Sequence, residues 1–249
     1  MLSVSKWATA GCDALVAVLL APACAACGVP LETPTQGAVC AACWRGIAPI
    51  APPVCETCGD ALPSWRLPPP EERRCTRCRR VRTVITRTTA LGPYEGSLRA
   101  IVHALKYDGR RSVARRLGTL MRVRGAHLLL GADAVVPVPL HRMRRLSRGF
   151  NQASDLARHL GVPVAHALRR TRYTGSQADL PASRRHANVR GAFRLARGAR
   201  ATIGGRCLVL VDDVSTTGAT LEACARTLLD GGAREVRAII AARAVSRSV

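Results

Sequence analysis

Asp212 and Asp213 follow four consecutive apolar residues, Leu208 to Val211, and precede the run Val214, Ser215, Thr216, Thr217, Gly218, Ala219 and Thr220. An unbroken apolar run of this kind reads as a strand buried on both faces, here ending on two carboxylates. The small hydroxyl and glycine residues then open a helix. A helix start with free backbone N–H groups and threonine hydroxyls is an anion cradle, and its size suits a phosphate. The acids stand one turn before that cradle, placed to accept hydrogen bonds from sugar hydroxyls. Acid pair and phosphate nest together describe a site for a ribose 5-phosphate.

A second chemistry sits in the first third of the chain. Eight of the eleven cysteines form four CxxC pairs: Cys24/Cys27, Cys40/Cys43, Cys55/Cys58 and Cys75/Cys78. Repeated CxxC is the spacing of thiolate metal ligands, and eight thiolates close two structural tetrahedral Zn²⁺ sites. The pairs can combine sequentially or interleave; spacing does not choose. Cys12, Cys207 and Cys224 stand alone and read as small buried hydrophobes.

Arginine supplies a third set. The segment PVPLHRMRRLSRGFNQ carries Arg142, Arg144, Arg145 and Arg148 without an acid. It reads as a loop able to hold pyrophosphate, with Pro139, Leu140 and Arg148 nearest the strand exit and Gly149 allowing a close turn. A solvated basic face is the rival reading. Lys106, at a helix end, is a candidate for a further phosphate contact. Residues 172–193 lack periodicity and read as a lid, with Gln177, Arg184, Arg185 and Asn188 closing over a ligand.

These groups need elements to hold them. Residues 84–91, 134–139, 207–213 and 236–241 read as strands, and 97–106, 112–130, 151–160 and 219–230 as helices. The alternation predicts an α/β domain with a parallel sheet, whose ligand sites lie at the carboxyl ends of the strands. The predicted division is a leading helix over 1–21, a Cys-rich double zinc ribbon over 22–83 that needs metal to fold, and the α/β domain over 84–249. The apolar stretch Ala14–Ala21 imitates a short secretory segment, but reduced zinc thiolates favour a helix packed on the ribbon in a cytoplasmic protein. It falls short of the ~18 apolar residues of a membrane span.

Composition bounds the partners. A net charge of +22, with Lys6 and Lys106 the only lysines, favours phosphates, nucleic acid or acidic surfaces. Arginine-borne binding of single-stranded DNA is expected, although an aromatic content of 3% argues against a broad base-stacking platform. A P-loop ATPase would also end a strand on Asp-Asp, but no GxxxxGK[ST] loop is present.

VDDVSTTGAT resembles the phosphoribosyl-pyrophosphate (PRPP) loop of type I phosphoribosyltransferases, where the acid pair takes the ribose hydroxyls and the loop the 5-phosphate. Taken in order, the CxxC pairs, LKY, PVPL, RGFNQ, NVRGAF and VDDVSTTGAT resemble the ComF family over roughly residues 20 to 245. Its members look like type I phosphoribosyltransferase domains behind a zinc ribbon, and are associated with competence and natural transformation. The resemblance implies PRPP or a related ribose 5-phosphate compound bound with Mg²⁺, a pyrophosphate loop near Pro139, and work beside competence proteins in DNA uptake. It implies no acceptor base, and no catalytic residue is identified beyond the ribose-holding Asp212 and Asp213. Two alternatives stand: a non-catalytic module gripping PRPP or a DNA 5-phosphate, and a salvage transferase for a small base.

Overall fold

The computed structural model describes residues 3–63, 69, 73–172, 189 and 191–244. Six strands lie among them: β1 (Thr88–Pro93), β2 (Ala134–Pro137), β3 (Leu168–Arg170), β4 (Phe193–Leu195), β5 (Cys207–Ser215) and β6 (Glu235–Arg243). Four form one parallel sheet in the order β1-β6-β5-β2, while β3 and β4 pair antiparallel by themselves. The unbroken apolar runs explain the centre of the sheet. Cys207 to Val211 and Val236 to Ala242 are buried with helices over both faces, except for half-buried Arg237.

On one face lie helices Gly96–Lys106, Val113–Arg124 and Gln152–Ala157. The first turns Leu98, Ile101, Val102 and Leu105 inward at helical spacing, which brings its last residue, Lys106, to the carboxyl end of β5. On the other face the helix Ala219–Asp230 buries Leu221, Cys224, Ala225 and Leu228. The helix Ser3–Leu20 docks on the Cys-rich segment through buried Asp13, which accepts the Thr35 N–H at 2.8 Å and hydroxyl at 2.7 Å. Its Leu15, Val18, Leu19 and Leu20 are exposed, and no described helix is long and apolar enough to cross a membrane.

Several expectations need correction. The first strand begins at Thr88, not 84, because the preceding chain bonds sideways: Val84 N–H is taken by Glu222 at 3.2 Å. The helix over 112–130 breaks at Gly125 into Val113–Arg124 and Ala126–Leu129. The expected arginine loop is a helix, Arg142–Arg148. Its Arg, Met and Leu residues are good helix formers, the His141 ring accepts the Met143 N–H at 3.3 Å, and Gly149 at φ 77° closes the end. Gly149 therefore ends a helix, with open space around it. Of the lone cysteines, Cys207 and Cys224 are buried but Cys12 is exposed, on the helix Ser3–Leu20.

Candidate functional site

Register brings the site together. Pro137 of β2 pairs with Val211 of β5, and the Val138 N–H reaches the Val211 carbonyl at 2.9 Å, so Pro139 and Leu140 leave the sheet beside Asp212. Asp213 is 3% exposed and Asp212 half-buried. Lys106 Nζ lies 2.9 Å from Asp213 Oδ1, which also accepts the Val214 N–H. Among the described residues, the buried Oδ2 of Asp213 has no hydrogen-bond partner. Asp212 Oδ1 accepts the Asp213 N–H at 2.9 Å.

The electrostatics follow from this crowding. Burial, then the neighbouring Asp213 charge, pushes the Asp212 carboxyl up to about 8, against the opposing pull of Lys106 and the Asp213 N–H. Burial alone would lower the Lys106 ammonium, yet Asp213 and then Asp212 outweigh it and raise its pKa. Arg170 feels the Asp212 charge, its pKa lowered by burial and by Arg144.

The cradle differs in detail from its expected extent. Ser215 belongs to β5 and is buried, so Thr216, Thr217 and Gly218 alone form the loop. Gly218, at φ 78° with open space where a side chain would go, bends the chain into the helix whose first residues are Ala219 and Thr220. Thr217 Oγ1 accepts the Ala219 N–H at 3.4 Å. Arg148 is brought close to Lys106's neighbour: its guanidinium sits 5.2 Å from the Tyr107 ring centroid and donates to Gln152 Oε1 at 3.0 Å. Gln177, Arg184, Arg185 and Asn188 lie outside the described residues.

The cysteines form two tetrads, Cys24/Cys27/Cys40/Cys43 and Cys55/Cys58/Cys75/Cys78, the sequential arrangement. A tetrahedral ion at the Zn–S distance of about 2.3 Å sets its sulfurs about 3.8 Å apart. The Sγ separations of 3.9 Å (Cys24–Cys43), 3.8 Å (Cys27–Cys40) and 3.6 Å (Cys58–Cys75) fit that ion. Backbone N–H groups support the thiolate: burial works against ionised Cys24, but donors from Cys40 and Ala26 hold its pKa down at about 6. With four protein sulfurs each, both sites are structural.

Four residues at this site were not singled out from sequence: Asp60, Arg77, Arg170 and Arg243. Arg77 donates to the Thr217 carbonyl at 2.9 Å, and the 1% exposed Arg243 joins Asp60 to Ser215. A signal existed for Arg243, since a charged residue ending the apolar run of β6 needs a buried partner. Nothing in the sequence distinguished Arg77 from its arginine neighbours.

The chain matches the double zinc ribbon domain family over residues 15–80 and the phosphoribosyl transferase domain family over residues 146–248. It is 32% identical over 224 residues to DNA utilization protein YhgH of Escherichia coli O157:H7, covering 86% of this chain and 93% of that protein. With competence protein F of Haemophilus influenzae it shares 30% identity over 219 residues, 84% of this chain and 92% of the relative. Among solved structures, the glutamine PRPP amidotransferase of B. subtilis aligns at a TM-score of 0.36 and 23% identity, over 55% of this chain and 30% of that one.

Proposed function

The chain belongs to the ComF family, a double zinc ribbon joined to a parallel-sheet phosphoribosyltransferase fold, and we propose that it serves DNA uptake as a binder of ribose phosphate and single-stranded DNA. The names of its relatives, DNA utilization and competence proteins, support the process. Reduced zinc thiolates support a cytoplasmic setting.

One observation carries the pocket: an acid pair with a buried, unpartnered carboxylate oxygen stands beside a Gly218-shaped helix entry. In this reading Thr216, Thr217 and Gly218 hold the 5-phosphate of PRPP or a related compound, while Asp212 and Asp213 take ribose hydroxyls. Lys106 pairs with Asp213 Oδ1 and orients the carboxylate for that role. The orphan Oδ2 of Asp213 also suits a hydrated divalent cation, so Asp212 and Asp213 would hold Mg²⁺ brought with PRPP. When bound, Mg²⁺ neutralises charge on the pyrophosphate. Pro139, Leu140 and Arg148 flank the side where pyrophosphate would lie.

The test is titration of PRPP into wild type, Asp212→Asn and Thr217→Val. Each variant should bind about tenfold or more weakly, the worth of one charge-assisted or phosphate hydrogen bond, with melting temperature and zinc content unchanged. Affinities equal to wild type would refute the pocket. Pyrophosphate release in the presence of a panel of bases would extend binding to transfer.

A second reading has its own support. A cavity of about 1160 Å³ runs from Thr217 and Gly218 past Arg77, Arg169, Arg194, Arg200 and Arg226. It exceeds the usual small-molecule site, and its arginines suit a polyanion. The same cradle would then take the 5-phosphate of a DNA strand. Stronger binding of a 5-phosphorylated than of a 5-hydroxyl oligonucleotide favours this reading; equal binding removes it.

A further inference from the structure

The two zinc knuckles are joined to the α/β domain in different ways. The Cys24 knuckle shares an apolar core, with Cys24, Cys43 and Trp44 packed in one cluster with Leu98, Leu117 and Met121. Arg116 adds a cation–π contact, 5.0 Å from the Trp44 ring centroid. The Cys55 knuckle forms a small cluster of its own, built on Cys55, Cys58 and Cys78. It also touches the α/β core through Val54, but its bonds to the functional loop are polar, and they land just before the helix Ala219–Asp230.

Two chains of bonds make that attachment. Arg77, between Cys75 and Cys78, donates Nη1 to the Thr217 carbonyl at 2.9 Å and Nη2 to Asp60 Oδ2 at 3.3 Å. Asp60, two residues past Cys58, also receives the buried Arg243 guanidinium through Nε and, at 3.0 Å, through Nη2. Arg243 then donates Nη1 to Ser215 Oγ at 3.2 Å, its register partner across β5 and β6. Gly59 lets the knuckle approach the sheet edge: a Cβ there would meet the Thr88 carbonyl oxygen at 3.0 Å. Ser215, the strand residue just before the loop, and Thr217 within it are therefore tied to the same knuckle.

The Thr217 bond has a directional consequence. The Thr217 C=O and the Gly218 N–H belong to one planar trans peptide unit and point in opposite directions. Fixing the carbonyl on Arg77 therefore sets the direction of the Gly218 N–H, which points away from Arg77. We propose that the Cys55/Cys58/Cys75/Cys78 knuckle is a clamp that sets the conformation of Thr216–Gly218, with Arg77 as its positioning residue. Order of this knuckle and order of the loop are then one property, while the Cys24 knuckle is free of that coupling.

The test uses the full-length protein with Arg77→Met and Arg77→Lys. Arg77 is a partly exposed side chain, so both variants keep the apolar core. Three quantities are read: zinc per chain, amide exchange in a peptide spanning residues 212–220, and the dissociation constant for ribose 5-phosphate. Arg77→Met should retain both zincs, quicken exchange in the loop about tenfold, and weaken ribose 5-phosphate about five- to tenfold, part of the worth of one hydrogen bond from a charged donor because Arg77 acts on the ligand only through the loop. Arg77→Lys should recover part of both effects. Loop exchange in Arg77→Met equal to wild type, with zinc intact, overturns the clamp. The affinity arm rests on the ribose-phosphate reading of the loop; the exchange arm does not. A wild type that binds no ribose 5-phosphate, with loop exchange still raised in Arg77→Met, refutes that reading and supports the clamp.

Discussion

Lys106 and Asp213 both stand near the carboxyl ends of their elements, the last turn of the helix Gly96–Lys106 and the end of β5, and meet as a buried ion pair at 2.9 Å. The lysine also sits at the negative end of its helix dipole, which favours its charge. Both side chains are largely out of water, so each is the other's main charge partner.

Removing one partner should therefore cost more than removing both. Lys106→Met leaves Asp213 buried and uncompensated, and should lower unfolding free energy by about 3 kcal/mol. Adding Asp213→Asn to it should restore part of that loss. Urea unfolding of the two single variants and the double gives the coupling directly. A loss under about 1 kcal/mol for Lys106→Met would mean that water reaches the pair and solvates the carboxylate.

Asp212 predicts a pH dependence. Its folded pKa, about 8, lies above the ordinary 3.8, so the native state holds its proton more tightly than the unfolded chain does. The stability this contributes is fully present below 3.8 and is lost as pH rises through 8. Ligand binding runs the other way, because a ribose hydroxyl donates to the ionised form. PRPP affinity should rise by up to about tenfold per unit between pH 6 and 8, and Asp212→Asn should flatten the profile. Calorimetric titrations at several pH values would check it; a wild-type profile as flat as that of Asp212→Asn would place the titrating group elsewhere.

The sequence was most legible where one local rule governs. Apolar runs located β5 and β6, helical spacing located the helices before Lys106 and after Gly218, and CxxC spacing located the thiolates. Legibility failed where tertiary contact decides. The spacing left zinc pairing open, since sequential and interleaved closures use the same intervals. The pairing of β3 with β4 joins residues 168–170 to 193–195, and three-residue strands carry no period. The arginines of 142–148 were read by charge as a loop, although their propensity is helical. Arg77 and Asp60 gained their roles only from the docking of the knuckle, which local sequence does not encode.

Metal content gives an independent check. Freshly purified protein should carry two zinc ions per chain, because two separate tetrads present four sulfurs each. Chelation should unfold the ribbon, since these residues gain much of their folding free energy from metal. Fewer than one zinc per chain would show that the thiolates serve another purpose.

Single-stranded DNA supplies the last prediction, and the structure changes which arginines should test it. Arg144 and Arg148 are partly buried, and Arg148 is engaged by Tyr107 and Gln152, so replacing them would disturb packing as well as charge. Arg142 and Arg145 are exposed on the same helix, and Arg169, Arg194 and Arg200 are exposed along the cavity that leads to Thr217. Each phosphate contact on a single strand contributes about 0.7 to the slope of log affinity against log salt. If DNA lies along the cavity, Arg169→Ala with Arg194→Ala and Arg200→Ala should lower that slope by about 2, and Arg142→Ala with Arg145→Ala should leave it nearly unchanged. If DNA crosses the short helix instead, the double variant should lose about 1.4 and the triple little. Binding should be indifferent to base sequence in either geometry, because phosphate contacts carry no base information. Fluorescence anisotropy across a salt series separates the two paths, and slopes unchanged in both variants would refute arginine-borne DNA binding at this face.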